Sequence, residues 1–381
     1  MALSMSIARG RLAERSNVRN GMEFEVDRDD LHRSRVLNDA PRPLVDGEAR
    51  VRVDAFALTS NNVTYAAFGD MLRYWDFFPA SATDAGTGNW GRVPVWGFAD
   101  VVESTVSNLA VGQRLYGYWP MATELIVIPG RFNEGGFQDL AAHRQEMAAA
   151  YNRYQFVEQD PIYDAMRESQ QMVLWPLFMT SFLIDDYIDD NAMFGAKTVV
   201  VSSASSKTAI GAAHLLAARP GVRVIGLTSA GNADFVRSLG CYHDTVHYRD
   251  VDTLAIEDAV YVDIAGNLDV RTAVHDRYAA SLHASLIVGS THWDYKAEGA
   301  APSKGPNPEF FFAPTQISKR HGDWGLEGLN DRVGEAWSRY SHWTDTWITL
   351  ESSRGASAIE SVFNTLLRGQ VDPRVGYVLA P

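Results

Sequence analysis

The clearest hydrophobic pattern lies between Thr198 and Thr228. It opens with three consecutive valines, Val199 to Val201, followed by small polar residues, as is typical of a buried parallel strand. Apolar residues then recur at helical spacing before Pro220: Ile210, Ala213, Leu216 and Ala217. A second apolar run occupies 222–227. The pattern predicts a strand, a helix and a second strand, which together form one βαβ unit.

The patterns on either side of this unit predict two kinds of sheet. Upstream, apolar and polar residues alternate over 49–55, and further short runs are separated by Gly and Pro, as in an antiparallel β domain. These runs lie at 101–105, 114–119 and 125–129. Downstream, strands predicted at 245–248, 259–266 and 285–291 alternate with helices. That alternation predicts a parallel, doubly wound sheet.

The remaining segments connect or cover these sheets. Residues 131–172 are mostly polar and predict an inserted helical lobe, whereas 173–191 predicts an apolar helix that bridges two domains. Residues 310–317 predict another apolar strand, and 324–343 predicts a helix rich in tryptophan. The segment 357–379 predicts a helix, a turn and a strand.

The turn inside the βαβ unit is the first candidate binding site. It carries hydroxyl groups and one cation: Ser203, Ser205, Ser206, Lys207 and Thr208. Backbone N–H groups at a helix N-terminus favour a phosphate, so a dinucleotide is predicted to bind here. The glycine fingerprint G-x-G-x-x-G is not intact, because serines and a threonine take its positions and Gly211 is the one nearby glycine.

Two other interpretations of this turn stay open. Lys207 and Thr208 resemble the end of a phosphate-binding P-loop, although Ser206 stands where that motif has a glycine. The serines also fit an ordinary N-terminal cap of an α/β helix.

Composition and charge narrow the classes of function. The 381 residues are enough for two domains. A formal net charge of -13 argues against nucleic acid or an anionic membrane as the partner, because both need a basic surface. Cys241 is the single cysteine, which excludes an internal disulfide and a cysteine-cluster metal site and favours a reducing cytoplasm. Residues 1–20 lack the apolar core of a signal peptide and predict a flexible extension.

The end of the second strand of the βαβ unit bears on the cofactor. A sheet that binds NAD usually has Asp or Glu at this position, bonded to the ribose hydroxyls. Here the strand ends in Thr228 and Ser229. Hydroxyl groups leave room for a 2′-phosphate and favour NADPH. The alternative is that both residues only cap the next turn.

The order of a β domain, a βαβ domain and a C-terminal return segment resembles the medium-chain dehydrogenase/reductase superfamily. GEARVRVDAFALTSNNVTY resembles the opening of its GroES-like domain, GQRLYGY a later strand, and VVVSSASSKTAIGAA its nucleotide turn. More closely, the chain resembles the DUF2855 family, a branch of that superfamily, through NNVTYAAFGD, PVWGFA, GYWPMA, SSASSKTA, VDIAGN and VGSTHW. The likeness covers nearly the whole chain beyond the N-terminal extension.

The resemblance implies an α/β fold made of a GroES-like antiparallel β domain and a Rossmann domain with a doubly wound parallel sheet. The flexible extension is expected at 1–20, and the GroES-like catalytic domain at 21–185 with the lobe 131–172 inserted. The Rossmann NADP-binding domain is expected at 186–320, and 321–381 returns to the catalytic domain. A homodimer is expected by the same analogy.

The resemblance also extends the cofactor site. Ser229 and Tyr248 are the implied neighbours of the NADPH 2′-phosphate. Asn232 stands where relatives often have a lysine, so phosphate affinity is expected to rely on Lys207, Arg249 or another basic group. Further residues are expected along the ribose and the nicotinamide: Gly266, Asn267, Gly289, Ser290, Thr291 and Phe312.

A zinc-free enzyme is predicted. Zinc alcohol dehydrogenases use cysteines and a Gly-His-Glu motif that this sequence lacks, and its ten histidines show no metal-type spacing. A reductase without metal needs a group that stabilises developing negative charge and a group that supplies a proton. Tyr65 falls where some zinc-free enoyl-thioester reductases of the superfamily place a proton-donating tyrosine. Asn61 or Asn62 is a candidate hydrogen-bond donor to the substrate or the nicotinamide. The alternative for Tyr65 is an aromatic packed in the β domain.

The predicted function is a zinc-independent, NADPH-dependent reductase. Its acceptor is an activated C=C, as in an enone, a quinone or an enoyl thioester, or a carbonyl. Aromatic residues are dense between Tyr74 and Trp119; most are expected in the core, and a few along a cleft that suits a largely apolar substrate. The alternatives are a non-catalytic or sensory protein that binds NADPH and a redox-neutral lyase or isomerase on the same fold.

Overall fold

The computed structural model describes residues 21–80, 88–288, 302–369 and 371–381. The predicted extension at 1–20 and three predicted site residues, Gly289, Ser290 and Thr291, lie outside the described residues.

The strands and helices are named here in chain order. The first ten strands are β1 (Gly21–Asp27), β2 (Ser34–Asp39), β3 (Ala49–Leu58), β4 (Trp90–Gly91), β5 (Pro94–Ser104), β6 (Arg114–Pro120), β7 (Glu124–Val127), β8 (Pro129–Asn133), β9 (Gly136–Asp139) and β10 (Arg153–Phe156). The later strands are β11 (Thr198–Val201), β12 (Arg223–Thr228), β13 (Asp244–His247), β14 (Ala259–Asp263), β15 (Leu282–Ile287), β16 (Glu309–Phe310), β17 (Thr349–Arg354) and β18 (Val375–Ala380). The helices are α1 (Ser60–Ala67), α2 (Ala149–Asn152), α3 (Glu168–Asp190), α4 (Lys207–Ala217), α5 (Ala233–Ser238), α6 (Leu268–Tyr278), α7 (Ala313–Thr344) and α8 (Ala356–Leu367).

The strands form three sheets. The six-stranded sheet is parallel and has the order β13-β12-β11-β14-β15-β16, so the direction of winding reverses between β11 and β14. The nine-stranded sheet has the order β17-β18-β3-β5-β6-β10-β9-β8, with β7 beside β3, and the parallel pair in it is β17 with β18. A three-stranded sheet has the order β2-β1-β4. The predicted α/β fold, with an antiparallel sheet and a doubly wound parallel sheet, is confirmed, and the winding reversal marks where ligands bind in such sheets.

The segment 131–172 differs from the predicted helical lobe. It contains β9, β10 and most of β8, and β10 pairs with β6 inside the nine-stranded sheet. Phe137 and Tyr154 are buried in these strands, but each strand is only four residues long, which is too short for a reliable two-residue period in a mostly polar segment. Gly136 has a φ of +146°, and a Cβ there would lie 2.0 Å from the Tyr154 carbonyl oxygen. The strands therefore pair through a close backbone approach that a hydrophobic pattern does not show.

Two smaller predictions in the second half of the chain also change. The apolar strand expected at 310–317 is limited to β16, because α7 begins at Ala313 with Pro314 in its first turn, where proline is tolerated. The strand β17 was not predicted, because its side chains are mostly exposed and show no apolar alternation.

Helix α3 packs on both large sheets and corresponds to the bridging helix predicted at 173–191. Its apolar residues pack in one core with residues of β11, β3 and β5. Two acidic residues near its end are buried and ion-paired: Asp185 contacts Arg219 at 2.7 Å, and Asp186 contacts Arg320 at 2.7 Å. The pairs hold α3 against α4 and α7.

Candidate functional site

The turn Ser202–Ser206, here called the serine turn, connects β11 to α4. Ser203 has a φ of +52°, in the left-handed region that glycine adopts most easily. Ser206 caps α4, since its Oγ accepts a hydrogen bond from the Ala209 N–H at 3.3 Å. A serine thus takes the backbone conformation for which a dinucleotide turn usually has glycine, and the free N–H groups of the first helical turn stay available to an anion.

Four predicted cofactor residues come together at the serine turn. The Ser203 N–H donates to the Tyr248 hydroxyl oxygen at 3.0 Å, and Asn232 Nδ2 donates to Ser205 Oγ at 3.0 Å. Burial raises the pKa of Tyr248, so its phenol stays neutral. These bonds connect the turn to the ends of β12 and β13 and give the edge of the parallel sheet a rim of hydroxyl and amide groups.

Other predicted cofactor residues lie at the same edge. Thr228 ends β12 and is buried, whereas Ser229, the next residue, is exposed. Gly266 follows β14 with a φ of +66°, and the Asn267 side chain caps α6. Phe312 follows β16 beyond the carboxyl ends of the strands and is 56% exposed.

A buried network between β11 and β14 was not predicted. Ser202 Oγ donates to Asp263 Oδ1 at 2.9 Å and accepts from the N–H groups of Ile264, at 2.9 Å, and Ala265, at 3.0 Å. Arg271 Nε donates to the other Asp263 oxygen at 2.7 Å. The buried Asp263 carboxylate is therefore neutralised inside the protein. The available signal was a serine and an aspartate that end neighbouring parallel strands, since such strand ends meet at one edge.

Lys207 makes contacts away from the hydroxyl rim. Its Nζ donates to the carbonyl oxygens of Pro373, at 3.3 Å, and Val375, at 2.8 Å. Burial lowers the pKa of Lys207 to about 8, and the nearby Asp372 acts in the opposite direction. Its neighbour Thr208 accepts a hydrogen bond from Ser181 of α3 through its backbone carbonyl, at 2.8 Å. The predicted phosphate ligand Lys207 is thus engaged with the C-terminal segment.

The predicted catalytic residues lie on α1. Tyr65 is 5% exposed, and Asn61 Nδ2 donates to its hydroxyl oxygen at 2.7 Å. Burial, followed by the charge of Tyr151, raises the pKa of Tyr65, so its hydroxyl keeps its proton. Asn62 is also buried; its Oδ1 accepts from the Thr59 N–H at 2.8 Å and its Nδ2 donates to the Pro94 carbonyl at 2.9 Å. Asn62 therefore fixes the start of α1.

Aromatic side chains surround Tyr65. The ring of Tyr118 lies 5.8 Å from that of Tyr65 and 5.0 Å from that of Trp96. In the described part of the chain, Trp96 Nε1 and the hydroxyls of Tyr116 and Tyr118 are buried and make no hydrogen bond of good geometry, although Trp96 and Tyr118 approach the Tyr65 hydroxyl. Buried donors are usually paired, so three unpaired ones in one cluster mark a place that suits a hydrogen-bond acceptor. The sequence indicated the aromatic density but not which of its polar atoms stay unpaired.

A small cleft, here called the Asn61 cleft, lies between this cluster and α3. Its walls are formed by Ala57, Thr59, Asn61, Asn62, Trp96, Met172, Val173, Pro176 and Leu177. Its volume of about 10 Å³ is enough for one water molecule. Tyr65 is not a wall residue and meets the cleft through the Asn61 amide. A larger ligand therefore needs α3 to move away from Trp96.

Two possible features are absent from the described ranges. Among residues 21–80, 88–288, 302–369 and 371–381, no three His, Cys, Asp or Glu side chains lie close enough to hold a metal ion. No helix of these residues is long and apolar enough to span a membrane.

Comparison with known proteins places the fold. Residues 56–372 match the model of a family described as "Protein of unknown function (DUF2855)". No curated protein matches the sequence significantly. CurA from Vibrio vulnificus, in complex with NADPH, is similar in structure with a TM-score of 0.61 at 13% identity, over 94% of this chain and 98% of that chain. A mutant form of enoyl thioester reductase from Candida tropicalis has a TM-score of 0.57 at 10% identity, over 95% of this chain and 100% of that chain.

Proposed function

The chain belongs to the DUF2855 family, and we propose that it is a zinc-independent, NADPH-dependent reductase. Its acceptor is an activated C=C, as in an enone, a quinone or an enoyl thioester, or a carbonyl, in a largely apolar small molecule. The fold shared with an NADPH complex and with an enoyl thioester reductase supports the proposal. The observation that carries it is the pair of hydrogen bonds that gathers Ser203, Ser205, Asn232 and Tyr248 beyond the carboxyl ends of β11, β12 and β13, with β11 bordering the winding reversal.

These residues fit NADPH by the chemistry of their donors. The other N–H groups of the serine turn donate inside the protein, so the N–H of Ser205, those of Lys207 and Thr208 in the first turn of α4, and the hydroxyls of Ser203 and Ser205 would hold the pyrophosphate. The exposed Ser229 and the Tyr248 phenol would face the 2′-phosphate. Since β12 ends in hydroxyl residues instead of a carboxylate, this end of the sheet does not repel a phosphate. Gly266, Asn267 and Phe312 would border the ribose and nicotinamide.

Bound NADPH supplies the hydride, and the chain's own residues orient the acceptor and manage charge and protons. Asn61 and Trp96 line the cleft, so their N–H groups can stabilise a negative oxygen that develops on the acceptor. The Tyr65 hydroxyl, beside Asn61, keeps its proton at neutral pH and is the proposed proton donor. The unpaired Tyr118 hydroxyl is a further donor beside it.

The proposed mechanism uses no zinc, and the chemistry of the single cysteine supports this. The single cysteine, Cys241, is buried, and burial raises its pKa to about 12. A thiol with a raised pKa is a poor source of the thiolate that binds zinc.

Two measurements test the proposed function. Fluorescence titration is expected to give a Kd for NADPH about tenfold or more below that for NADH, because hydrogen bonds to a charged phosphate contribute about 1.5–3 kcal/mol. Equal affinity for the two would contradict the cofactor assignment. A panel of enones, quinones and enoyl thioesters is expected to contain an acceptor that consumes NADPH stoichiometrically. Tight NADPH binding without consumption would favour a sensory protein, and product formation without consumption a redox-neutral enzyme.

A further inference from the structure

Lys207 makes a direct contact between the two large sheets. It is the first residue of α4 and follows the serine turn. Its Nζ donates to the backbone carbonyls of Pro373 and Val375, at 3.3 and 2.8 Å. Val375 opens β18, a strand of the nine-stranded sheet. The side chain therefore crosses from the proposed pyrophosphate site to the nine-stranded sheet, whose strand β3 leads into α1, the helix of Asn61 and Tyr65.

The acceptors of these hydrogen bonds lie one strand away from the Asn61 cleft. β18 pairs with β3, with Val378 opposite Ala57 and Tyr377 opposite Leu58. Ala57 is a wall residue of the cleft, and β3 continues through Thr59 into α1. A displacement of β18 is therefore transmitted to the cleft wall through one strand pairing.

The surroundings of Lys207 make its charge expensive to keep. The ammonium group is bonded to neutral carbonyls, and burial disfavours its charged form. An apolar side chain of similar length would fill the same space without this desolvation cost. Compared with an apolar side chain, Lys207 contributes two directed hydrogen bonds to the segment Pro373–Val375, more than 160 residues away in the sequence.

We infer that Lys207 is a positioning residue whose two hydrogen bonds fix the serine turn relative to β18. It thereby sets the distance between the bound cofactor and an acceptor in the Asn61 cleft. The inference rests on the proposed reductase function. It gives Lys207 a different role from the phosphate ligand that the sequence predicts.

The two roles give different kinetic results when the ammonium group is removed by Lys207→Met. For a positioning residue, the Kd for NADPH stays within about twofold while kcat falls about tenfold or more, because a misplacement of 1 Å between reacting groups costs up to about a hundredfold in rate. For a phosphate ligand, the Kd rises about tenfold or more, because a charge-assisted hydrogen bond is lost.

The experiment compares Lys207→Met and Lys207→Arg with Lys197→Met, which removes an exposed lysine just before β11. Each protein is titrated with NADPH, assayed with an acceptor consumed by the wild type, and examined by amide hydrogen exchange. Lys207→Met is expected to lower kcat and to lose protection at both Val375–Ala380 and the serine turn. Lys207→Arg retains a hydrogen-bond donor and is expected to keep part of the wild-type kcat and part of the exchange protection. Lys197→Met is expected to change neither kcat nor protection.

The remaining outcomes each decide the question. A raised Kd with unchanged kcat would overturn the inference in favour of a phosphate ligand, and unchanged kcat with unchanged exchange would overturn it altogether. Should Lys207→Met fail to fold, the same comparison is made with Lys207→Gln and Lys207→Arg. The reductase proposal and the Lys207 contact fail on different results. If the wild type binds NADPH but reduces no acceptor, the reductase proposal fails. Hydrogen exchange needs no turnover, so unchanged exchange in the variants would refute the contact of Lys207 with the β18 segment in either case.

Discussion

A tyrosine that acts as a proton donor must be protonated before the reaction, so its surroundings must keep its pKa above the working pH. Tyr65 has such surroundings, because burial opposes its ionisation and the Asn61 amide orients its oxygen. The same burial separates it from bulk water, so a phenolate formed there depends on neighbouring donors. The unpaired N–H of Trp96 and O–H of Tyr118 are available for that purpose.

Replacing Tyr65 by Phe removes the hydroxyl and keeps the ring. We expect kcat to fall by about 10²–10⁴, the usual contribution of a general acid, while the Kd for NADPH is unchanged. Steady-state kinetics and fluorescence titration measure the two effects. Tyr74→Phe is the matched control, because its ring packs on that of Tyr65 with centroids 4.4 Å apart. Unchanged turnover in Tyr65→Phe would contradict the proton-donor role and favour the alternative that Tyr65 is an aromatic residue of the core.

Lys207 predicts a pH dependence of stability. Burial lowers its pKa from 10.5 to about 8 in the folded protein. Between these two values the unfolded chain binds more protons than the folded one, so the free energy of unfolding contributed by Lys207 rises with pH. Urea unfolding between about pH 7.5 and 10 is expected to show this rise in the wild type and in Lys197→Met, and a smaller one in Lys207→Met. Parallel pH profiles of all three proteins would contradict a lowered pKa of Lys207 in the folded protein.

Much of the candidate site could be predicted at the level of residue types. Hydroxyls at the strand ends indicated Ser203 and Ser205, and the structure adds hydrogen bonds that bring Asn232 and Tyr248 to them. The contacts of Lys207 could not be predicted, because they join residues far apart in sequence and depend on how two sheets are oriented. The unpaired atoms in the aromatic cluster depend on side-chain packing, about which a pattern of apolar residues carries no information.

At the scale of elements, local periodicity was enough wherever one face of an element is buried. β11, α4 and β12 form the predicted βαβ unit because their apolar residues recur at the periods of a strand and a helix. Periodicity failed for β9 and β10, which are only four residues long and lie in a mostly polar segment, and for β17, whose side chains are mostly exposed. The expected helical lobe was wrong for this reason.

A substitution at Gly136 tests whether the close backbone approach between β9 and β10 stabilises this part of the nine-stranded sheet. Gly136→Ala places a Cβ 2.0 Å from the Tyr154 carbonyl oxygen and strains a φ of +146°. We expect the free energy of unfolding to fall by about 3 kcal/mol. Gly112→Ala is the control, since its φ is +90° and no atom lies within 4 Å of the added Cβ, so strain alone costs about 1 kcal/mol. Urea unfolding that gave equal losses would contradict a close approach at Gly136.

At the scale of the whole molecule, α3 is the element that both sheets share. Its apolar face belongs to the core of the parallel sheet, and four of its residues also line the Asn61 cleft: Met172, Val173, Pro176 and Leu177. Its far end is held by the buried pair of Asp186 with Arg320. One end of α3 therefore forms a wall of the cleft, and the other end is restrained by ion pairs.

Removing Arg320 tests this restraint. Arg320→Met leaves the buried Asp186 carboxylate with the neutral Gln316 amide but without its cationic partner, and we expect the free energy of unfolding to fall by about 3 kcal/mol. Adding Asp186→Leu to this variant is expected to recover part of the loss, since no buried charge remains. Lys319→Met removes a cation from an exposed pair on the same helix and is expected to change stability little. Calorimetry or urea unfolding measures all three, and a double variant no better than the single would contradict this account.

The place of β18 between β17 and β3 has a consequence for biosynthesis. Leu58 and Tyr377 are paired although roughly 320 residues separate them. A ribosome that adds about 5–20 residues per second makes β3 tens of seconds before the strand that will cover it. β7 pairs with the first half of this edge of β3 early in synthesis, so it is the last three residues of β3, Phe56–Leu58, whose hydrogen-bonding groups await β18 in the nascent chain. The strand that supports Ala57, one wall residue of the Asn61 cleft, is therefore added only after most of the polypeptide has been translated.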